Sequence, residues 1–135
     1  MEYKDTRDMS KEEVYNLYNE NGWVSYVKYI DRTMLSIEKA FYVYSAWDNN
    51  KLVGLIRCVG DGLTILYIQD LLVLPKYQGK GIGSKLLSDT LNKFNEVYQT
   101  VLMTDDTEKT VSFYKKCGLK SSKETGGVAF SRMVY

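Results

Sequence analysis

Histidine is absent from this sequence. That absence excludes Ser-His-Asp and Cys-His catalysis, the H-E-x-x-H zinc site and every histidine general base together. Any chemistry must be carried by other groups, and no metal is expected. Proline occurs once, at Pro75, which leaves no proline-rich linker to mark a domain boundary. The two cysteines, Cys58 and Cys117, form no C-x-x-C pair, and in a reducing compartment each reads as a small buried hydrophobe. An excess of one charge sign is lacking as well. A formal net charge of +1 gives no basic stripe for a nucleic-acid partner. No segment approaches the roughly 18 consecutive apolar residues of a membrane span. The opening MEYKDTRDMSKEE mixes both charge signs where a signal peptide would carry an apolar stretch, so a cytoplasmic location with no membrane partner is expected.

What is present fits one compact domain over residues 1–135: the chain is 44% hydrophobic and 26% charged, an ordinary globular balance. Ser10 followed by Glu13 is a capping-box pattern, and Val14, Leu17 and Tyr18 then recur at helical spacing, which predicts a helix from Lys11 to Asn19 ended by Asn21-Gly22. A second helix is predicted over Val24 to Ile37, with Val27, Ile30, Met34 and Ile37 on one side. From Phe41 the pattern changes to strands. FYVYSAW, KLVGLIRCVG and LTILYIQDLLVL are separated by the turn signals DNN and Asp61-Gly62 and predict an antiparallel meander ending at Pro75. A helix from Gly83 to Asn95 follows, its inner face assigned to Leu87, Leu91 and Phe94. QTVLMT reads as a short strand. Thr110, Phe113, Tyr114 and Cys117 repeat helically up to Gly118, and VAFSRMVY after Gly126-Gly127 reads as a final strand. The expected class is mixed α/β, a largely antiparallel central sheet flanked by helices.

Between the third strand and its helix lies Gln78-Gly79-Lys80-Gly81-Ile82-Gly83-Ser84. Glycines there let backbone N–H groups converge at a helix N-terminus, where the dipole favours an anion such as a phosphate. The spacing is wrong for a dinucleotide fingerprint, which would need glycine at Ser84, and for a Walker A loop, which would need it at Leu74. A plain flexible turn is the alternative. Lys76, Lys80 and Lys85 lie within reach in sequence to add charge attraction, though lysines at a helix start are more often simply solvated.

LLVLPKYQGKGIGSKLL resembles motif A of the GNAT superfamily of N-acetyltransferases, whose signature Q/R-x-x-G-x-G/A here reads Gln78-x-x-Gly81-x-Gly83. Downstream, SFYKKCGL resembles the F-Y-x-x-x-G-F/L of the family's motif B. Together the two matches cover roughly the last two-thirds of the chain. The resemblance implies a GNAT-like acyl-CoA N-acyltransferase fold in which the backbone of Leu71, Leu72 and Val73 pairs with the pantetheine arm of acetyl-CoA. Gln78 through Ser84 would wrap its pyrophosphate. Thr107 stands where many relatives carry a cofactor-touching asparagine. Relatives are often dimers, and the open edges of a small sheet invite pairing, so a homodimer is expected.

Acetyl transfer to an amine needs a neutral amine, a donor for the oxyanion and a proton for the departing thiolate. The resemblance assigns the proton to Tyr114 and the oxyanion to a strand N–H near Leu72; otherwise Tyr114 is a core aromatic. No good base is evident. Tyr67 and Gln69 occupy family acceptor positions, and alternation puts them on the face of Leu71. Asp70 is the nearest carboxylate, as catalytic group if a bulge turns it or as a structural hydrogen-bond partner. Trp23 and Tyr26 are candidate walls for the acceptor, with cation–π contact available to a protonated amine. The expected activity is transfer from acetyl-CoA to the primary amine of a small molecule such as an amino acid, polyamine or arylalkylamine. A non-catalytic acyl-CoA-binding module is the alternative.

Overall fold

The structure is a computed structural model that describes residues 1–134. It falls into two compact units, Met1–Leu102 and Met103–Tyr135. The first is built on a five-stranded sheet in the order β1-β2-β3-β4-β5, formed by Glu2–Lys4, Tyr42–Asp48, Lys51–Gly60, Ile65–Val73 and Gln99–Leu102. The first four strands run antiparallel to their neighbours, and β5 is parallel to β4. The predicted meander is β2-β3-β4. Strand β1 was not foreseen, because three residues are too short to show a period of two.

Helix α1, Lys11–Glu20, begins at the predicted capping box: Ser10 Oγ accepts from the Glu13 N–H at 3.1 Å, and Glu13 Oε1 accepts from the Ser10 N–H at 3.3 Å. Val14, Leu17 and Tyr18 are buried as the spacing indicated. The helix predicted over Val24 to Ile37 is two helices, α2 at Val24–Lys28 and α3 at Ile30–Lys39. The chain breaks at Tyr29 (φ −115°, ψ 54°), in a run of β-branched and aromatic residues that hold a helix weakly. The Tyr26 carbonyl at the break accepts instead from Thr33 Oγ1 at 2.8 Å.

Helix α4, Ile82–Lys93, covers the other face of the sheet. Its buried residues are Ile82, Leu86, Leu87 and Thr90, while Leu91 and Phe94 are only half-buried. The inward face is displaced from the Leu87, Leu91, Phe94 stripe because α4 sits over Gly54. A Cβ at that glycine would lie 3.1 Å from Leu86 Cδ1 and 3.2 Å from Ile82 Cγ2. No helix among the described residues is long and apolar enough to cross a membrane.

The second unit holds α5, Glu108–Lys116, and the short α6, Ser122–Thr125. Gly126, in the left-handed region at φ 83°, ends α6. The predicted final strand VAFSRMVY is not formed over the described residues: 127–134 have no regular structure, and Phe130 is 91% exposed. Its last residue, Tyr135, lies outside the described residues.

Candidate active site

Two features of β4 set up the site. The register against β3 pairs Arg57 with Asp70 but Cys58 with Ile68, so Gln69 is an extra residue, a β-bulge in β4. In addition, β5 pairs only with Ile65–Ile68, and among the described residues no strand continues beside Gln69–Val73 on the edge away from β3. The strand therefore leaves part of its backbone edge open where it runs toward the glycine turn.

The bulge changes which side chains share a face. Paired residues of an antiparallel ladder point the same way. Tyr67 opposes Val59 and Asp70 opposes Arg57, two residues apart on β3, so Tyr67 and Asp70 share the face covered by α1. Leu71, opposite Ile56, points to the other. Placing Tyr67 and Gln69 on the face of Leu71 is thereby corrected: simple alternation fails across an inserted residue.

Asp70 is 1% exposed and forms the centre of a buried polar cluster. Its Oδ2 accepts from Arg57 Nε at 2.7 Å and from the Tyr18 hydroxyl at 2.8 Å. Its Oδ1 accepts from the Tyr26 hydroxyl at 3.2 Å. The Tyr26 oxygen in turn accepts from Gln69 Nε2 at 3.4 Å. Burial, then the neighbouring Asp70 charge, raises the Tyr18 phenol well above its ordinary value and raises that of Tyr26. For Arg57, burial acts downward, but Asp70 outweighs it and the guanidinium is raised. Both phenols thus stay protonated at neutral pH and donate to a carboxylate that can only accept.

The rings form a compact wall. Tyr18 and Tyr26 stack with centroids 5.0 Å apart, and Trp23 meets them edge-on at 5.6 and 5.1 Å. The structure brings together Trp23, Tyr26, Gln69 and Asp70. Arg57 and Tyr18 were missed as site residues. The available signal was one arginine and one aspartate interrupting otherwise apolar strands that face each other in a meander.

Beyond β4 the chain makes a short 3₁₀ turn at Pro75–Tyr77 and then the glycine turn. Gln78 Nε2 donates to the Val73 carbonyl at 3.0 Å, and the Tyr77 hydroxyl donates to Asp48 at 2.7 Å, which ties the turn to β4 and to the β2–β3 hairpin. Gly79 and Gly81 have φ of 77° and 84°, where a Cβ is strained. Neither would meet an atom within 4 Å of an added Cβ, so backbone conformation rather than crowding calls for glycine. Gly81 is the N-cap of α4, and no side chain caps this helix. The first N–H groups of the helix are left for another acceptor. Lys80 lies 5.3 Å over the Tyr77 ring beside the turn, whereas Lys85 is ion-paired with Asp89 at 3.0 Å. An uncapped helix start with open space above it and a lysine alongside fits a diphosphate.

In the second unit, Thr107 is the N-cap of α5, accepting from the Thr110 N–H at 3.2 Å. Tyr114 is half-buried on the same helix. Burial raises its phenol, with the Cys117 thiol acting the same way and a hydrogen bond with Thr104 opposing. Among the described residues no group of three histidine, cysteine or carboxylate side chains is placed to hold a metal ion.

A bulged, half-open strand running into an uncapped helix start is the arrangement that the resemblance of the sequence implies, and comparison with known proteins supplies the family. The sequence model "Acetyltransferase (GNAT) domain" matches residues 5–135, across both units. A GNAT-family acetyltransferase structure from Streptococcus pneumoniae superposes with a TM-score of 0.87 and 35% identity, covering 98% of this chain and 96% of that one. The chain is 33% identical over 100 residues to N-alpha-acetyltransferase 30 of Schizosaccharomyces pombe, covering 69% of this chain and 66% of that protein. It is 26% identical over 91 residues to thialysine N-epsilon-acetyltransferase of Mus musculus, covering 64% and 45% respectively. This chain belongs to the GNAT acetyltransferase family. It spans between about half and two-thirds of the length of the curated relatives it matches. Acetyl-CoA is the donor of the family.

Proposed function

We propose that this chain works as a single N-acetyltransferase domain over residues 1–135, moving the acetyl group of acetyl-CoA to the primary amine of a small molecule. The observation that carries this reading is the uncapped start of α4 between Gly79 and Ser84, directly following a strand whose Leu71–Val73 edge is open. Gln78 through Ser84 hold the pyrophosphate through backbone N–H groups, and Leu71 and Val73 pair with the amides of the pantetheine arm as a strand would, while the ladder that bonds the Leu74 N–H to the Val53 carbonyl turns the backbone groups of Leu72, expected to share in this, toward β3. Bound there, acetyl-CoA would supply an activated thioester carbonyl.

The neutral amine attacks that carbonyl carbon. A β4 N–H near Leu72, at Leu71 or Val73 where the N–H faces the open edge, donates to the developing oxyanion, the carbon–sulfur bond breaks, and Tyr114 gives its proton to the thiolate and is reprotonated from water. The proton lost from the amine passes to water. Both carboxylate oxygens of Asp70 are occupied by Arg57, Tyr18 and Tyr26, which supports a structural role for Asp70 rather than that of base. One relative is named for the ε-nitrogen of thialysine and another for an α-amino group, and both names fit a primary amine acceptor. The domain acts in the cytoplasm and pairs through an open sheet edge as a homodimer; a monomer mass in light scattering would overturn the pairing.

The test is thiol release from acetyl-CoA with a panel of amino acids, polyamines and arylalkylamines, alongside calorimetric titration of the cofactor. Turnover with one class establishes the reading. Absence of acetyl-CoA binding ends it, and binding without turnover on any amine favours a non-catalytic acyl-CoA-binding module.

A further inference from the structure

The cluster behind β4 decides the direction of one proton, and that has a consequence for the acceptor. Asp70 is ion-paired with Arg57, so its oxygens take hydrogens and offer none. Tyr18 and Tyr26 must therefore both turn their hydroxyl hydrogens inward to it. The Tyr18 oxygen is sealed at 0% exposure. The Tyr26 side chain is half-buried, and its oxygen meets Gln69 Nε2, on the exposed bulge residue, at 3.4 Å. A phenol oxygen accepts chiefly through one in-plane lone pair, the other being delocalised into the ring. With its hydrogen committed to Asp70, Tyr26 can only accept, and its acceptor direction is met by the long 3.4 Å contact of the exposed Gln69, which an incoming N–H can displace.

Gln69 lies two residues before Leu71, roughly 7 Å along a strand rising about 3.3 Å per residue. The Tyr26 oxygen thus lies against the bulge of the same strand whose following residues are proposed to hold the pantetheine arm. An attacking amine must aim its own lone pair at the carbonyl carbon, and its N–H groups then need acceptors. We infer that the Tyr26 oxygen accepts an N–H of the attacking amine and orients it, with Asp70 and Arg57 acting through Tyr26 as positioning residues. This rests on the acetyltransferase reading given above. As the nitrogen bonds to carbon it gains positive charge, so the N–H to Tyr26 contact strengthens toward the transition state. The selected acceptor is an amine that keeps an N–H in that geometry, a primary or unhindered secondary amine.

The experiment uses the full chain with the best amine of the panel. Tyr26→Phe keeps the ring and its stacking on Tyr18 but removes the oxygen. The expected result is a fall in kcat/KM for the amine of about tenfold to a hundredfold, the range of a hydrogen bond to a group gaining charge. The dissociation constant of acetyl-CoA should stay within about twofold, since no cofactor contact is touched. Asp70→Asn frees the Tyr26 hydrogen to point outward. It should lower kcat/KM in the parent background and add little in the Tyr26→Phe background, because both act through one oxygen. A working parent enzyme whose Tyr26→Phe variant keeps its kcat/KM overturns the inference and leaves the acetyltransferase reading standing. So does a variant in which amine and cofactor parameters fall together with the melting temperature, since that is lost structure. A parent silent toward every amine overturns both. Should Asp70→Asn fail to fold, Tyr26→Phe alone decides.

Discussion

Replacing Arg57 by methionine removes the cation but keeps most of the side-chain volume. Asp70, 1% exposed, would keep the Tyr18 and Tyr26 hydroxyls and lose its 2.7 Å partner. Breaking a buried ion pair from one side typically costs about 3 to 5 kcal/mol, because the remaining charge has neither water nor a counter-ion. Two donors remain here, so the lower end of that range, about 3 kcal/mol, is expected. For a domain of this size that corresponds to a fall in melting temperature of roughly 10 °C. Urea unfolding should show a lower midpoint with an unchanged slope. Adding Asp70→Asn removes the stranded charge while keeping an oxygen for one phenol, so the double variant should recover roughly 1 to 2 kcal/mol. The reasoning is refuted if Arg57→Met loses less than about 1 kcal/mol, or if the double variant is no more stable than the single.

Tyr114→Phe should lower kcat by about 10² to 10⁴, the usual contribution of a general acid, with acetyl-CoA affinity unchanged by calorimetry. Because burial raises this phenol, the alkaline fall of the parent enzyme should lie above the ordinary tyrosine range and vanish in the variant; an unchanged alkaline limb would return Tyr114 to a packing role. Gly81→Val forces a branched residue to φ 84°, which costs roughly 1 to 2 kcal/mol of stability, and should weaken acetyl-CoA binding at least about tenfold. A folded variant with parental affinity would remove the turn from the cofactor site. Burial pushes the Cys58 thiol from 9.0 up to about 12. Since the folded state holds this proton more tightly than the unfolded chain, the associated stability is complete below about 9 and declines as pH rises toward about 12. Cys58→Ala should flatten that decline in denaturation curves, and native Cys58 should resist alkylation at mildly alkaline pH.

The local grammar of the chain carried the parts of the fold that local physics decides. The Ser10–Glu13 capping box, the meander spelled by FYVYSAW, KLVGLIRCVG and LTILYIQDLLVL, and the glycines before α4 all depend on neighbours a few residues away. A sequence displays such neighbours directly. The φ-positive Gly79 and Gly81 and the bare start of α4 follow from the same local rules, and so does the candidate anion site. What the sequence did not disclose depends on partners far along the chain. The break at Tyr29 places Tyr26 over the sheet, and residues 128–134 show that alternation alone does not make a strand where no ladder partner among the described residues takes it up. The bulge at Gln69 is a property of the β3–β4 pair, invisible in either strand alone, yet it turns Asp70 toward Arg57 and Tyr18, the latter 52 residues away. Only the tertiary structure decided that the carboxylate is a buried acceptor held by three donors, because a charge inside a protein must find its partners wherever the fold brings them.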